Sequence, residues 1–332
     1  MNVQRMGMKV GFWSWAAVAF TGLAVAGVGQ PVAYLFTGSE AAAQTKTVNI
    51  GFQKSGNLLF LKAAGTLEER LKKFGFGVTW TEFSSGPPLI EGLNVGSIDF
   101  GHSGDAPPIF AQAAGAPLRY VASTRPSPKS VALLVPQGSP VQSVADLKGK
   151  KVAFAKGSSA HYFLVEALTQ AGLTLNDIEQ VFLQPADART AFEGKNLDAW
   201  AIWDPFYAAA ELNGAQVLVN GEGLTPFREY YFASAAFVDQ HPELVEVIVE
   251  ELEKTTGNLN QRDSLELAQW LSPELGVDIP ILQRAYQRRD RYGAVWVQPE
   301  IVAEQQKIAD TFISIGVLPK PVRIEDNVWR PD

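Results

Sequence analysis

Cysteine is absent from the 332-residue sequence, and histidine occurs only three times, at His102, His161 and His241. The missing cysteines exclude disulfides, thiolate metal sites, a cysteine nucleophile and a lipid-anchored N-terminal cysteine. No two histidines have the spacing of a helical zinc motif, so neither a metal nor a cofactor is expected. The formal net charge is −7, without a run of lysine or arginine. That balance argues against nucleic acid or an anionic membrane surface as a partner.

The N-terminal residues differ in kind from the rest of the chain. Arg5 and Lys9 precede the uncharged stretch VGFWSWAAVAFTGLAVAGVG, and Ala41-Ala42-Ala43 follows with the small residues of a cleavage site. A basic N-terminal end, an apolar middle and small residues at the cleavage site predict a secretory signal peptide over residues 1–43, cleaved near Ala43. Such a signal predicts a periplasmic protein. The apolar stretch approaches the length that spans a bilayer, so a retained membrane anchor is the alternative.

After the N-terminal segment, short β-rich runs alternate with longer amphipathic runs, as in KTVNIGFQ followed by NLLFLKAAGTLEERLKKFG. This rhythm predicts an α/β protein with mostly parallel sheets flanked by helices. RPSPKS (residues 125–130) interrupts the first series, and the chain leaves a second series near residues 227–233. We therefore expect two lobes with two crossings: lobe 1 contains residues 44–127 and 232–332, and lobe 2 contains residues 128–231. The ligand is expected in the cleft between them.

Four predicted strands end in serine and glycine directly before a helix. These strand ends are Gln53-Lys54-Ser55-Gly56, Ser84-Ser85-Gly86-Pro87-Pro88, His102-Ser103-Gly104-Asp105 and Lys156-Gly157-Ser158-Ser159. Each serine alone is typical of a helix N-cap. Because helix N-termini carry unpaired N–H donors and a partial positive charge, several that converge on one cleft predict an anion site. Such neutral donors leave no formal charge stranded when the ligand departs.

Ser103 is not expected to be a nucleophile. A nucleophile elbow requires glycine two positions after the serine, and this chain has Asp105 there. His102 is the neighbour of Ser103 on a strand, where adjacent side chains point to opposite faces, so it cannot easily act as a base for Ser103.

Trp203 ends the apolar strand segment LDAWAIW. At a carboxyl end it can form a wall of the cleft against an apolar ligand tail, although a place in the core is the alternative. Asp204 follows directly and is interpreted as an N-cap that could instead bind a ligand ammonium or hold the lobes together.

These segments resemble the aliphatic sulfonate-binding proteins, the periplasmic substrate-binding components of ABC importers. The segments that carry the resemblance are WTEFSSGPPLIEGLNVGSIDFGHSGDAPPIFAQAAGAPL, ADLKGKKVAFAKGSSAH, PADARTAF and LDAWAIWDPFY. The resemblance covers residues 48–330 and implies a two-lobed, monomeric binding protein without enzymatic activity. It would deliver an organosulfonate to a membrane permease driven by a cytoplasmic ATPase. Taurine, nitrate and aromatic sulfonates remain alternative ligands, and a membrane-tethered sensor of the same fold remains an alternative role.

The resemblance also implies the ligand-binding residues. The positions that match the family's pocket are Gln53, Gly86, Ser103, Gly104, Asp105, Ser158, Ser159 and Trp203. The sulfonate head is expected at the helix N-termini, with the carbon tail against Trp203. His102 stands where the family pattern has a small hydroxyl residue, so the size and the pH response of the pocket do not follow from the family.

Overall fold

The computed structural model describes residues 46–331 and places their strands in two separate sheets. The expected signal peptide lies outside the described residues. The strands are β1 (Lys46–Phe52), β2 (Phe76–Glu82), β3 (Phe100–Gly104), β4 (Leu118–Thr124), β5 (Val131–Val135), β6 (Lys151–Phe154), β7 (Glu179–Phe182), β8 (Ala199–Trp203), β9 (Gln216–Asn220), β10 (Glu229–Ser234) and β11 (Ala294–Trp296).

The six-stranded sheet has the order β11-β4-β10-β3-β1-β2, and the five-stranded sheet has the order β7-β6-β8-β5-β9. β1 pairs in parallel with β2 and β3, and β6 pairs in parallel with β7 and β8, which confirms the predicted α/β class. β10 runs antiparallel between β3 and β4, and β5 runs antiparallel between β8 and β9. Both sheets are therefore mixed, because each receives one central strand that arrives from the other sheet.

The chain changes sheets twice. It leaves the six-stranded sheet after Thr124 and enters the five-stranded sheet at Val131, and it returns between Asn220 and Glu229. The return comes a few residues before the expected crossing, because β10 already pairs within the six-stranded sheet. The described residues belong to one compact unit, so the division into lobes stays a prediction.

Twelve α-helices of the described residues cover the two sheets. They are α1 (Leu58–Ala64), α2 (Thr66–Lys72), α3 (Gly86–Asn94), α4 (Ala106–Ala114), α5 (Ser159–Gln170), α6 (Pro185–Glu193), α7 (Phe206–Leu212), α8 (Ala235–Gln240), α9 (Pro242–Leu259), α10 (Ser264–Leu275), α11 (Ile279–Tyr286) and α12 (Pro299–Ser314). Within residues 46–331, no helix has both the length and the apolar character needed to cross a bilayer.

The segment NLLFLKAAGTLEERLKKFG forms two helices where the sequence pattern predicts one. Gly65 ends α1 in the left-handed conformation, with φ of +65°, and its N–H donates to the carbonyl of Lys62. Glycine adopts this conformation without the steric penalty that a side chain brings, so the chain turns there and α2 begins at Thr66.

An aromatic cluster joins helices that pack on different sheets. Phe312 of α12 is fully buried, and its ring centroid lies 5.1 Å from that of Phe110 on α4. On its other side it contacts two rings of α5, His161 at 5.2 Å and Tyr162 at 5.9 Å. Because α5 packs against strands of the five-stranded sheet, this cluster holds the two sheets together through their helices.

Replacing Phe312 by alanine tests this joint. We expect the free energy of unfolding to fall by about 3–5 kcal/mol, because the substitution leaves a cavity among three rings. Urea denaturation followed by circular dichroism measures the change. Ile315→Ala, at a residue that is 44% exposed just after α12, serves as the control and should cost no more than about 0.5 kcal/mol. Equal losses of unfolding free energy in the two variants would show that the aromatic cluster stabilises the fold no more than an exposed side chain does.

Candidate functional site

A small cavity of about 30 Å³ lies where strand ends of both sheets meet. Its lining residues are Gln53, Ser55, Gly86, His102, Gly104, Pro107, Ser130, Ser158, Ser159, Trp203, Asp204, Phe227, Glu229 and Arg289. The cavity brings together most of the residues that the sequence predicts for binding. Those residues are Gln53, Gly86, Gly104, Ser158, Ser159 and Trp203.

Ser103 and Asp105, the other two predicted residues, lie behind the cavity wall and use their side chains within the protein. The Ser103 hydroxyl donates to the carbonyl oxygen of Gly104 at 3.0 Å. The Asp105 carboxylate accepts the backbone N–H of Ala106 at 2.8 Å and so caps α4. Ser103 nevertheless restricts the residue type at position 86. A Cβ on Gly86 would lie 2.9 Å from the Ser103 Cβ, so glycine fits there and a larger residue does not.

The N-terminus of α5 presents a buried hydroxyl beside the cavity. The Ser159 Oγ makes no hydrogen bond of ordinary geometry among the described residues, although the Asp105 carboxyl lies near enough to interact with it. Gly104 faces it so closely that a Cβ there would lie 1.9 Å from this Oγ. The Ser158 hydroxyl, by contrast, already donates to the Ala155 carbonyl at 2.7 Å. The donors that face the cavity are therefore the first N–H groups of α5 and the Ser159 hydroxyl, which the Asp105 carboxyl can also accept from.

Asp105 is a buried carboxyl close to these donors. Burial raises its pKa to about 6, although the nearby Ser159 hydroxyl and the Ala106 N–H act in the opposite direction. One carboxyl oxygen, Oδ2, has no hydrogen-bond partner among the described residues. The protein thus keeps a carboxyl next to the cavity in surroundings that disfavour its charged form.

Asp204 lines the cavity and anchors a chain of ion pairs. Its Oδ1 accepts from Arg288 Nη1 at 2.6 Å and from the backbone N–H of Ala208 in the first turn of α7 at 3.0 Å. Arg288 also pairs with Glu211 of α7, which pairs in turn with Arg284 of α11 at 2.7 Å. The N-cap of α7 is Pro205 and not Asp204 as interpreted from the sequence, but Asp204 still accepts an N–H of the first turn of α7 and links this helix to the segment after α11.

The remaining lining residues are not among the eight predicted binding residues. They are Ser55, His102, Pro107, Ser130, Asp204, Phe227, Glu229 and Arg289. Arg289 Nη2 lies 3.4 Å from Glu229 Oε1 although the two residues are 60 positions apart. No local motif marks either of them, whereas Ser55, His102 and Asp204 belong to strand ends that the sequence analysis had singled out.

A larger cavity of about 410 Å³ adjoins the small one and shares Gln53, Ser55 and Trp203 with it. Its apolar walls are Phe83, Pro185, Ala186, Trp203, Pro205, Phe206, Ala209, Val277 and Ile281. Lys54 and Glu82, whose charged atoms are 4.0 Å apart, add partly exposed polar groups to the lining. Trp203 thus lies at the boundary between a narrow polar space and a wide apolar one.

The pKa of Asp105 predicts a pH-dependent cost to stability. A carboxyl whose pKa is higher in the folded than in the unfolded state loses stabilisation as the pH rises from about 4 to about 6. Asp105→Asn removes this loss, so between pH 4 and pH 7 the variant should gain up to about 3 kcal/mol relative to the wild type. Urea unfolding across this range measures the difference. The exposed Asp239→Asn is the control, and a parallel course of D105N and wild type would refute the prediction.

Comparison with known proteins gives a consistent result at the level of sequence. The family described as NMT1/THI5 like matches residues 81–261. A protein of Escherichia coli K12, provisionally named an aliphatic sulfonates-binding protein, is 40% identical over 293 residues. The match covers 88% of this chain and 91% of that protein.

Two solved structures are similar over most of the chain. The alkanesulfonate-binding protein of Xanthomonas axonopodis pv. citri, solved bound to MOPS, is 40% identical, with a TM-score of 0.82 over 87% of this chain and 100% of that one. The periplasmic aliphatic sulphonate binding protein of Escherichia coli is 39% identical, with a TM-score of 0.78 over 86% and 93% of the two chains. These coverages leave no room for a match limited to one of the two sheets.

Proposed function

The chain belongs to the family of aliphatic sulfonate-binding proteins, and we propose that it is the periplasmic binding component of an ABC importer for organosulfonates. Its close relatives are substrate-binding proteins, so the chain is a binding protein and not an enzyme. The missing cysteine agrees with this role, since enzymes of similar fold that cleave sulfinates need that nucleophile.

The sulfonate head binds in the small cavity at the N-terminus of α5. The observation that carries this proposal is the N-terminus of α5, which attracts negative charge and lines the cavity with Ser159, a buried hydroxyl that makes no hydrogen bond of ordinary geometry among the described residues. Gly86 and Gly104 support it because their missing side chains leave space for the oxygens of the head. Gln53 contributes less as a donor, since its amide already donates to the His102 carbonyl at 3.1 Å.

The carbon tail extends past Trp203 into the larger cavity. The walls there are aromatic and aliphatic, which favours an apolar tail through the hydrophobic effect. A volume of about 410 Å³ is far more than a two-carbon chain fills, so ligands with long or branched tails fit better than taurine.

The remaining parts of the proposal concern location and partners. The signal peptide is cleaved near Ala43, and the mature protein is a monomer that gives its ligand to a permease with a cytoplasmic ATPase. Lobe 1 (residues 44–127 and 232–332) and lobe 2 (residues 128–231) close on the ligand. This assignment is supported by relatives of periplasmic type and by the two passages between sheets.

Calorimetric titration with ethanesulfonate to decanesulfonate, taurine, nitrate and sulfate tests the proposed function. Affinity should rise with tail length by up to about 0.8 kcal/mol per methylene until the larger cavity is filled. The buffer should be Tris chloride, because MOPS is itself a sulfonate and would compete. Heat from the inorganic anions alone would refute the proposal.

Ser159→Ala should weaken alkanesulfonate binding by about 1–3 kcal/mol, roughly 5- to 150-fold, because it removes a donor that faces the cavity. Ser158→Ala is the matched control, since that hydroxyl already donates to Ala155 and its loss should affect affinity less. Calorimetry with one alkanesulfonate compares the three proteins. A larger effect of S158A than of S159A would place the head group elsewhere.

A further inference from the structure

Three ionisable side chains from distant parts of the sequence form one wall of the small cavity: His102 of β3, Glu229 of β10 and Arg289 just after α11. His102 Nδ1 lies 3.4 Å from Glu229 Oε2, and Arg289 Nη2 lies 3.4 Å from the other carboxylate oxygen, Oε1. Glu229 therefore stands between a permanent cation and an imidazole. We call these three residues the charged wall.

The His102 imidazole is held in place mainly by packing. The side chain is only 1% exposed, its Nδ1 lies 3.4 Å from the Glu229 carboxylate and interacts with it, and its Nε2 has no hydrogen-bond partner among the described residues. Its backbone carbonyl accepts from the Gln53 amide, and a Cβ on Gly56 would lie 2.3 Å from its Cε1. A buried polar group without a partner is costly and calls for an explanation. Here the unpartnered Nε2 belongs to a ring that borders the cavity.

The charges of this wall balance only when His102 is neutral. Burial opposes the ionisation of Glu229, but His102 and Arg289 outweigh it and lower the pKa of the Glu229 carboxyl. The carboxylate and the guanidinium then cancel each other. With a proton on His102 the wall carries a net charge of +1, equal and opposite to that of one sulfonate group. Without that proton, an entering anion faces a neutral wall that includes a nearby carboxylate.

We propose that His102 is a specificity-determining residue that takes up a proton when a monoanionic head group binds. This inference rests on the proposed function, because the head group must lie in the small cavity. Affinity for a sulfonate then increases as the pH falls toward the range in which imidazole is protonated. A dianion such as sulfate leaves one negative charge unmatched, so the same wall favours monoanions.

Other titratable groups nearby could compete for the proton. Tyr231 faces His102 from β10 at a ring distance of 6.2 Å, but burial raises its pKa well above the ordinary value, and it stays protonated throughout. Asp105 follows β3 and Asp204 lines the cavity, and burial raises the pKa of each carboxyl to about 6, for Asp204 despite Arg288. These two carboxyls are the alternative acceptors that the experiment must separate from His102.

Titration calorimetry of hexanesulfonate binding at pH 7 in Tris, bis-Tris and imidazole chloride measures proton uptake directly. The observed heat should vary linearly with the heat of protonation of the buffer, with a slope that corresponds to uptake of up to one proton. Affinity should fall between pH 6 and pH 8 by up to about tenfold per pH unit. Binding whose heat does not depend on the buffer would overturn the role of His102 while leaving the proposed function intact.

The substitution His102→Asn should abolish the proton uptake and give an affinity that no longer rises toward acid pH. His241→Asn is a matched control, because His241 Nδ1 also lies 3.4 Å from a carboxylate, that of Glu243, but does not line the cavity. It should behave as the wild type. Uptake that persists in H102N would assign the proton to Asp105 or Asp204 and overturn the proposal. No heat from any alkanesulfonate with the wild type would refute the proposed function, and this inference with it.

A measurement on the wild type covers the case in which H102N does not fold. The chain contains only three histidines, so their Cε1–H signals in an NMR titration can be assigned with the help of the two variants H241N and H161N, which leave the His102 signal as the third. The midpoint of the His102 titration should move to higher pH when hexanesulfonate is bound. An unchanged midpoint would overturn the proposal.

Discussion

The approach of Gly104 to Ser159 sets the distance between the two halves of the site. Gly104 ends β3 of the six-stranded sheet, and Ser159 begins α5, which packs on the five-stranded sheet. Even a methyl group on Gly104 would collide with the Ser159 hydroxyl. Gly86 shows the same constraint, with Pro107 at 2.7 Å from an added Cβ. Two missing side chains thus bring helix N-termini and the Ser159 hydroxyl around a space small enough to exclude most water. In such a space, dipoles act on an anion more strongly than they do in bulk solvent.

The sequence allowed the class of fold and the general position of the site to be predicted for a simple reason. The alternation of β-rich and amphipathic runs is a local property, and serine and glycine after a strand are local signals as well. What local signals cannot tell is whether a hydroxyl is already used. Ser103 and Ser158 donate to carbonyls one and three residues away, whereas Ser159 does not, and only the folded backbone distinguishes them.

The sequence predicts an anion site built from neutral hydrogen-bond donors, but such donors form only part of the cavity wall. Asp204 with Arg288, and Glu229 with Arg289, bring charged groups to its wall, and each pair joins residues that are 60 or more positions apart. Such pairs depend on how α11 and the segment after it pack beside α7 and β10, which no motif encodes. Because each pair is internally balanced, the two pairs add no net charge to the wall, and the anion is attracted by the N–H groups of α5 and by the proton that we assign to His102.

The ion pairs that begin at Asp204 reach from the cavity to solvent. Asp204 is almost fully buried, Arg288 beside it is equally so, Glu211 is partly covered, and Arg284 at the far end has 44% of its side chain exposed. Four alternating charges therefore connect the interior of the molecule to its outer surface at α11. The first charge of this series is part of the cavity wall, and the last is in contact with solvent.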